Sequence, residues 1–232
     1  MGNLAGFSLP ERGTTMRKVP LPDGAKLYLY TAALTALAPG AMSNAAHAVV
    51  TVANTLAVKA VVVITSEDYP ELEGRVARVK AVTADSVTLD GVDTSDLTKF
   101  PMGGEVSLIP LVANEWQRLP YIPSFALSGG ELKTGSSSYL DVEDEQEFSQ
   151  GRSARRLEYT ISWKQDGVAR AALQACNGLD SVHRLQFKDG SASYYVGELA
   201  YDDVPSTEKG NEQTTKSTVL LRGAPTNLPK AA

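Results

Sequence analysis

The chain has 232 residues, of which 22 are basic and 27 acidic, so its net charge at pH 7 is −5. A protein that grips nucleic acid phosphates over a broad surface is usually basic, and this mild acidic excess argues against that class. Hydrophobic residues make up 43% and charged residues 21% of the chain, close to globular averages, so extensive disorder is not expected.

Cys176 is the single cysteine, which excludes an intrachain disulfide and a paired-cysteine metal site. The first ten residues have no basic segment followed by an apolar stretch, and the longest apolar run, residues 60–64, is far too short to cross a bilayer. We therefore expect a soluble protein without a signal peptide that folds in the cytoplasm.

Residues 1–48 carry few charges and no sustained hydrophobic period, and they are expected to form an N-terminal segment of their own. Within it, the alternation of residues 26–30 predicts a strand. Residues 32–38 predict a short helix that ends at Pro39-Gly40.

Residues 49–119 have the texture of a small β block, because stiff β-branched side chains recur between turn residues. Pro110 indicates that the last strand of this block lies at an edge. Short strands at such close spacing predict a small barrel or meander. The predicted strands are 49–52, 61–65, 75–82, 86–90 and 106–112.

Residues 120–151 are rich in Gly, Pro and Ser and end in an acidic run, which predicts a long loop or an extended hairpin. A segment of this length without structure is unusual inside a compact domain. We expect it to be functional, or to become ordered against a partner.

Residues 152–223 give the clearest pattern. Apolar side chains at 157, 159, 161 and 163 alternate with polar ones, which predicts a strand with one buried face. Asp189-Gly190 predicts a hairpin between strands 182–188 and 191–201, and 214–222 predicts a further strand. Residues 224–232 are expected to form a flexible tail.

A short helix is predicted between these strands, with Asp166 as its N-cap and Asn177-Gly178 at its C-terminal end. Its buried stripe is predicted to contain small apolar side chains suited to lying against a sheet. These are Val168, Ala172, Ala175 and Cys176.

The residues give little support for catalysis, and no cofactor or metal is expected. The chain lacks the phosphate-binding glycine motifs and the G-x-S-x-G nucleophile motif. We expect His183 to be an ordinary strand residue and Cys176 a small core residue rather than a nucleophile. The spacing of Asp90, Asp93 and Asp96 resembles a calcium loop, but a turn is the favoured interpretation.

The acidic run is followed directly by three arginines, and this is the candidate interface of the chain. A solvated loop with local charge balance is the simplest interpretation of this segment. The sharper one is that the acid-then-base segment pairs with an identical neighbour in a ring. The candidate interface residues are Asp141, Glu143, Asp144, Glu145, Glu147, Arg152, Arg155 and Arg156.

Three segments together resemble the tail tube proteins, or major tail proteins, of long flexible-tailed (siphovirus-type) bacteriophages. The first is VVVITSEDYPELEGRVARVKAVTADSVTLDGVDTSD, residues 61–96, with its G-R-V strand and L-x-G-[VI]-D-T block. The second is GRSARRLEYTISW, residues 151–163. The third is RLQFKDGSASYYVGELAYDDVPSTEKGNEQTTKSTVLLRG, residues 184–223. The family tends to carry a Gly-Asp turn where this chain has Lys59-Ala60.

The resemblance implies a mainly β protein: a tail-tube β-sandwich or barrel with one packed α-helix, beside the small β block in the N-terminal half. The resemblance implies one overall tail-tube domain. Its parts are a variable N-terminal segment 1–48, the small β block 49–119, a long loop or stacking arm 120–151, core strands and helix 152–223, and a flexible tail 224–232.

The implied function is structural. Six copies would form a ring and rings would stack into the tail tube, the conduit for DNA ejection. The implied partners are other copies of the chain, the tape-measure protein in the lumen, the tail terminator and tail tip proteins, and DNA in transit without specific binding. The protein would be assembled in the host bacterial cytoplasm, belong to the virion tail and contact no membrane. An acidic lumen would suit the passage of DNA.

Two other functions are weighed against this one. A β-sandwich binding module, such as an adhesin or a carbohydrate-binding domain, would need exposed aromatic side chains, and Tyr194, Tyr195 and Tyr201 are the candidates. A hydrolase using the carboxylates of 141–147 is the least favoured, since carboxylates in a solvated loop lack the buried environment that raises a catalytic pKa.

Overall fold

A computed structural model describes residues 24–138, 146–163, 167–206, 210 and 212–230. The chain is mainly β, as predicted, with two sheet systems and a projecting hairpin. The larger system, the core sheet, has the strand order β8-β1-β13-β14-β15-β12-β9, with β16 paired to part of β14. Its strands are β1 (Lys26–Tyr30), β8 (Trp116–Leu119), β9 (Ser124–Ser128), β12 (Arg156–Ser162), β13 (Asp180–Gln186), β14 (Ala192–Tyr201), β15 (Thr214–Leu221) and β16 (Thr226–Leu228).

The smaller system, the small barrel, has the order β2-β7-β4-β5-β6-β3. A bridge between Met42 and Val50 joins the two ends of this order, so the sheet closes on itself. Its interior is filled by aliphatic side chains together with Tyr69 and Phe100, whose rings meet edge to face at 5.7 Å. The strands are β2 (Gly40–Ala41), β3 (Val49–Thr51), β4 (Val61–Thr65), β5 (Arg75–Thr83), β6 (Ser86–Asp90) and β7 (Glu105–Leu111).

The core sheet is strongly curled. Its two edge strands, β8 and β9, are separated by only residues 120–123 in sequence, yet they lie at opposite ends of the strand order. The inward side chains of the strands, such as Leu157, Tyr159 and Ile161, form one apolar cluster inside this curl. The alternation predicted for β12 is therefore confirmed, and it marks the concave face of the sheet.

Helix α1 (Gly167–Ala175) packs into the same interior cluster through Ala169 and Leu173. The predicted stripe was wrong at Val168, which is 62% exposed, and at Ala175, which is also exposed. The residues that face the cluster are Ala169, Ala172, Leu173 and Cys176, which follow the i, i+3, i+4, i+7 spacing of one helix face and include the leucine, so this face buries more apolar area. The predicted cap Asp166 lies outside the described residues.

The small barrel covers one side of the core sheet. Outward side chains of the core, including Tyr30, Val182 and Tyr194, pack against Val63 and Val76 of the small barrel. Trp116 lies edge-on to Tyr30 at 5.2 Å and to Tyr194 at 6.1 Å. The first half of β14 is therefore buried on both faces.

The C-terminal segment differs from the expected flexible tail, because residues 226–228 form β16. This strand pairs with β14, and the Thr226 hydroxyl accepts a hydrogen bond of 3.1 Å from the Val76 amide of the small barrel. The Arg78 guanidinium also donates to the Pro229 carbonyl at 2.8 Å. The segment after Gly223 thus connects the two sheet systems.

One further prediction was wrong, and two other sequence features have a structural counterpart. Residues 32–38 form no helix, because the Leu37 amide bonds the Leu108 carbonyl at 2.8 Å and tertiary pairing overrides local propensity. The predicted edge strand β7 pairs with β4 along its length and with β2 only at its start, so Pro110 lies beyond the short second partner. Lys59 adopts φ +70°, a conformation that favours glycine, at the point where the resembling family tends to carry Gly-Asp.

The helix position gives a test of the packing. Leu173→Ala should lower the free energy of unfolding by about 2–5 kcal/mol, because it leaves a cavity at a fully buried site. The matched change Val168→Ala should alter it by less than about 0.5 kcal/mol, because that side chain is mostly in solvent. Urea unfolding of both variants would check this, and a larger loss for Val168→Ala than for Leu173→Ala would place the buried stripe on the face first predicted.

Candidate assembly surface

The core sheet leaves two strand edges without a partner in the described part of the chain. At one end β8 pairs only with β1, and at the other β9 pairs only with β12. An unpaired edge presents backbone N–H and C=O groups that can bond to a strand of another molecule. These two edges are therefore the places on the core sheet, in the described part of the chain, where a strand of another molecule can be added.

The edge strand β9 has none of the features that normally block edge pairing. Its sequence, Ser-Phe-Ala-Leu-Ser, contains no charge and no proline. Phe125 is half-buried and its ring lies 5.7 Å from that of Tyr195, whereas Ala126 is exposed on the outward face. An exposed edge of this kind promotes aggregation in a monomer, whereas in a protein that assembles it can pair with a strand of a neighbouring molecule.

Next to β9 the convex face of the sheet is open to solvent. We call this surface the uncovered face, since no described part of the chain packs on it. Its side chains are mostly short or balanced in charge, and Lys216 bonds Glu158 at 2.9 Å. The registers of β14, β15, β12 and β9 align its side chains in rows. The uncovered face consists of Ser124, Ala126, Ser128, Arg156, Glu158, Thr160, Lys216, Thr218, Leu220, Glu198 and Ala200.

A hairpin of two strands, β10 (Leu132–Ser137) and β11 (Gln146–Arg152), forms a separate sheet that we call the arm. Every residue of β11 is exposed, including the aromatic Phe148. At the base of the arm the Gly130 amide donates to the Ser153 carbonyl at 3.1 Å, and the Ser153 amide donates to the Glu131 carbonyl at 2.9 Å. The arm is thus fixed at its base while its side chains remain available for contact.

The structure divides the predicted interface residues between two surfaces. Glu147 and Arg152 lie on the arm, and Arg152 donates to the Gly130 carbonyl at 3.0 Å. The side chain of Arg155 lies against Gly130 at the base, whereas Arg156 lies on the uncovered face. Within the described residues none of these four forms an ion pair. The remaining candidates, Asp141, Glu143, Asp144 and Glu145, lie outside the described residues.

Sequence reasoning missed β9, because the surrounding glycines and prolines made residues 120–151 look like one loop or hairpin. The signal was present, since Phe125 and Leu127 alternate with small polar or alanine residues over five positions. A five-residue alternation beside Pro123 and Gly129 is too short to distinguish a sheet strand from a loop. Long-range pairing with β12 decides its conformation.

The three tyrosines considered for a binding module are not exposed. Tyr194, Tyr195 and Tyr201 are each at most 7% exposed. Tyr194 belongs to the contact with the small barrel, and the other two to the interior of the core sheet. The aromatic surface that this alternative needs is therefore not provided by these residues.

The remaining titratable candidates are occupied by structural contacts. Asp93 accepts bonds from the amide and hydroxyl of Ser95, which lower the pKa of its carboxyl, and Asp96 is held in the same way by Thr98. Burial raises the pKa of the Cys176 thiol, which disfavours the reactive thiolate. Both aspartates thus serve as turn residues, and the cysteine packs against the interior cluster.

His183 is fully buried in the interior of the core sheet. Its Nε2 lies 2.9 Å from the Tyr159 hydroxyl and its Nδ1 lies 3.5 Å from that of Ser181. Burial lowers the pKa of His183 to about 3 and raises the pKa of Tyr159, so both groups are neutral in the folded protein at neutral pH.

One family model, described as phage tail tube protein, TTP, matches residues 67–230. The match spans the chain from the loop before β5 to the end of β16, and the chain belongs to this family. A search of curated protein sequences gave no significant match. Among the described residues no helix is long and apolar enough to span a membrane.

Membership of this family makes the chain a structural protein of the virion tail. Tail tube proteins assemble with copies of themselves and with other tail proteins, and the open strand edges and the exposed arm described above are surfaces on which such assembly can be built. The resemblance stated from the sequence is confirmed.

The buried histidine gives a test of the core. The unfolded chain takes up a proton at His183 near pH 6.5, whereas the folded protein resists protonation down to about pH 3. This contribution to stability is complete above pH 6.5 and is lost as the pH falls, with a slope of up to about 1.4 kcal/mol per pH unit. His183→Asn should flatten this part of the stability profile, measured by urea unfolding from pH 7 to pH 4.

The matched control is His47→Asn, because His47 lies at the surface of the small barrel. It should retain the pH profile of the unmodified protein. An unchanged slope in the His183 variant would show that the carboxylates alone account for acid sensitivity.

Proposed function

We propose that six copies of this chain form a ring through the two open edges of the core sheet, and that rings stack to form the tail tube. The observation that carries this proposal is the unpaired, uncharged edge of β9, which lies at the opposite end of the sheet from the second open edge, β8. A contact between two different edges is head-to-tail, and such a contact closes into a ring when its rotation permits.

Stacking is assigned to the arm. Its exposed Phe148 and Leu132 would pack against the next ring, and Glu147 and Arg152 would add ionic contacts between identical subunits. An exposed aromatic and a pair of opposite charges are typical of surfaces that become buried on association.

The uncovered face would line the lumen. Its short serine, threonine and alanine side chains leave a smooth surface, and its positive charges, Arg156 and Lys216, are matched by Glu158 and Glu198. This lumen would be balanced in charge, whereas the sequence led us to expect an acidic one. DNA could still slide along it, because it lacks the excess of cations that binds phosphates. The tape-measure protein would occupy this lumen before DNA, with the tail terminator and tail tip proteins at the two ends.

The tube would be assembled in the host bacterial cytoplasm and would act as the conduit for DNA ejection. The general test is assembly of the purified chain at rising concentration, followed by negative-stain electron microscopy. Rings or tubes would support the proposal, and a monomer at all concentrations would contradict it.

The edge contact is tested by Ala126→Lys on β9. A lysine on an edge strand hinders the addition of another strand, so ring formation should be lost while the melting temperature stays close to that of the unmodified protein. Ala84→Lys, at an exposed turn of the small barrel, introduces the same side chain and should assemble normally. Sedimentation velocity measures both, and equal assembly of the two variants would exclude β9 as the joint.

The arm is tested by replacing residues 133–151 with an Asn-Gly turn, which keeps the base of the hairpin and favours tight reversal. The change leaves β9 in the sheet, unlike a deletion that starts near residue 121. We expect a folded protein that forms separate rings instead of tubes under the microscope. Tubes of ordinary length would show that stacking uses another surface.

A further inference from the structure

The small barrel lacks the open edges of the core sheet. The Met42–Val50 bridge joins β2 to β3, so the strands of this sheet are paired around a closed circuit in the described structure. A closed sheet cannot extend by adding strands from a neighbouring molecule. The small barrel is therefore not suited to form part of a wall that is continuous from one subunit to the next.

The small barrel also lies away from the uncovered face. It packs on the outward side chains of β1, β13 and the first half of β14, whereas the uncovered face is centred on β12 and β15. In the strand order, β1 is three places from β15, and β13 is three places from β12. In a sheet curled nearly into a barrel, strands this far apart lie on opposite sides, so their outward side chains face away from each other. A subunit with one of these surfaces towards the lumen has the other towards the outside.

Most of the net charge of the chain resides in the small barrel. Residues 40–111 contain nine acidic and five basic residues, a balance of −4. The remaining 18 acidic and 17 basic residues (27 less 9 and 22 less 5) nearly cancel. Eight of the nine acids are exposed, and Glu73 is half-buried.

Two of the five basic residues of the small barrel are partly covered. Arg75 and Arg78 are half-buried on β5 and donate to the carbonyls of Gly91 and Pro229, whereas the three lysines are exposed. Eight exposed acidic side chains against three exposed lysines make the surface of the small barrel acidic.

We propose that the small barrel forms the outer surface of the assembled tube and that its negative charge keeps tubes from associating side by side. This inference rests on the proposed function, because it requires rings whose lumen is lined by the uncovered face. Like charge on facing surfaces opposes their approach, and the repulsion is strongest at low ionic strength.

The position is tested by cysteine labelling of assembled tubes in a Cys176→Ala background. Ala84→Cys places a thiol at the turn after β5, and Ala200→Cys places one on the uncovered face; both alanines are exposed. With a bulky polyethylene glycol maleimide, Ala84→Cys should label equally in tubes and in dissociated subunits. Ala200→Cys should lose most of its labelling on assembly.

Protection of Ala84→Cys in tubes would overturn the outward position of the small barrel. Free labelling of Ala200→Cys in tubes would show that the uncovered face does not line the lumen. Where a cysteine variant does not assemble, electron cryomicroscopy of unmodified tubes decides the same question. The closed barrel should then lie at the largest radius. Failure of the unmodified chain to form rings or tubes would instead reject the proposed function.

The role of the charge is tested by Glu67→Gln, Glu71→Gln and Glu105→Gln combined, all at exposed positions. Tubes of this variant should bundle at low salt, as measured by light scattering and microscopy, whereas unmodified tubes stay separate. The control Lys80→Gln with Lys99→Gln makes the small barrel more acidic and should not bundle. If tubes of the triple Glu→Gln variant stay as well separated at low salt as unmodified tubes, the proposed repulsion is overturned.

Discussion

The organisation of this protein depends on a sheet that curls almost to closure and stops short of it. The linker between its two edge strands begins and ends with a proline, Pro120 and Pro123, and neither has an amide hydrogen to give to a neighbouring strand. Tyr121 between them has φ +53°, and its carbonyl accepts a 3.0 Å bond from the Ser162 amide. The linker thus extends the hydrogen bonding between β9 and β12, but it does not bring β8 and β9 into a pair.

Several consequences follow from this incomplete closure. The concave face encloses an apolar interior into which the helix packs through Leu173, so the fold is stable without a closed circuit of strands. The two edges remain available to neighbours. The convex face is covered by the small barrel on one half and open on the other, so a single sheet provides both an internal contact and a free surface.

Charge is distributed according to the same division. The mild acidic excess of the whole chain argues against a broad surface for gripping DNA. In the folded protein, most of this excess lies in the small barrel, and the uncovered face is close to neutral. The weak negative balance is therefore mainly a property of one sheet system and not of the whole surface.

Local sequence determined the elements whose signal is contained within a few neighbouring residues. The alternation around Tyr159, the Asp189-Gly190 turn and the glycine after the helix each identify their element, since side-chain period and backbone conformation are local properties. The order of three such segments was sufficient to indicate the family. Tertiary structure alone decided which strands became edges, that residues 226–228 joined the sheet, and that Tyr194 is buried between two sheets. Alternation shows that a strand has two different faces, but what lies against each face depends on pairing between residues far apart in the chain.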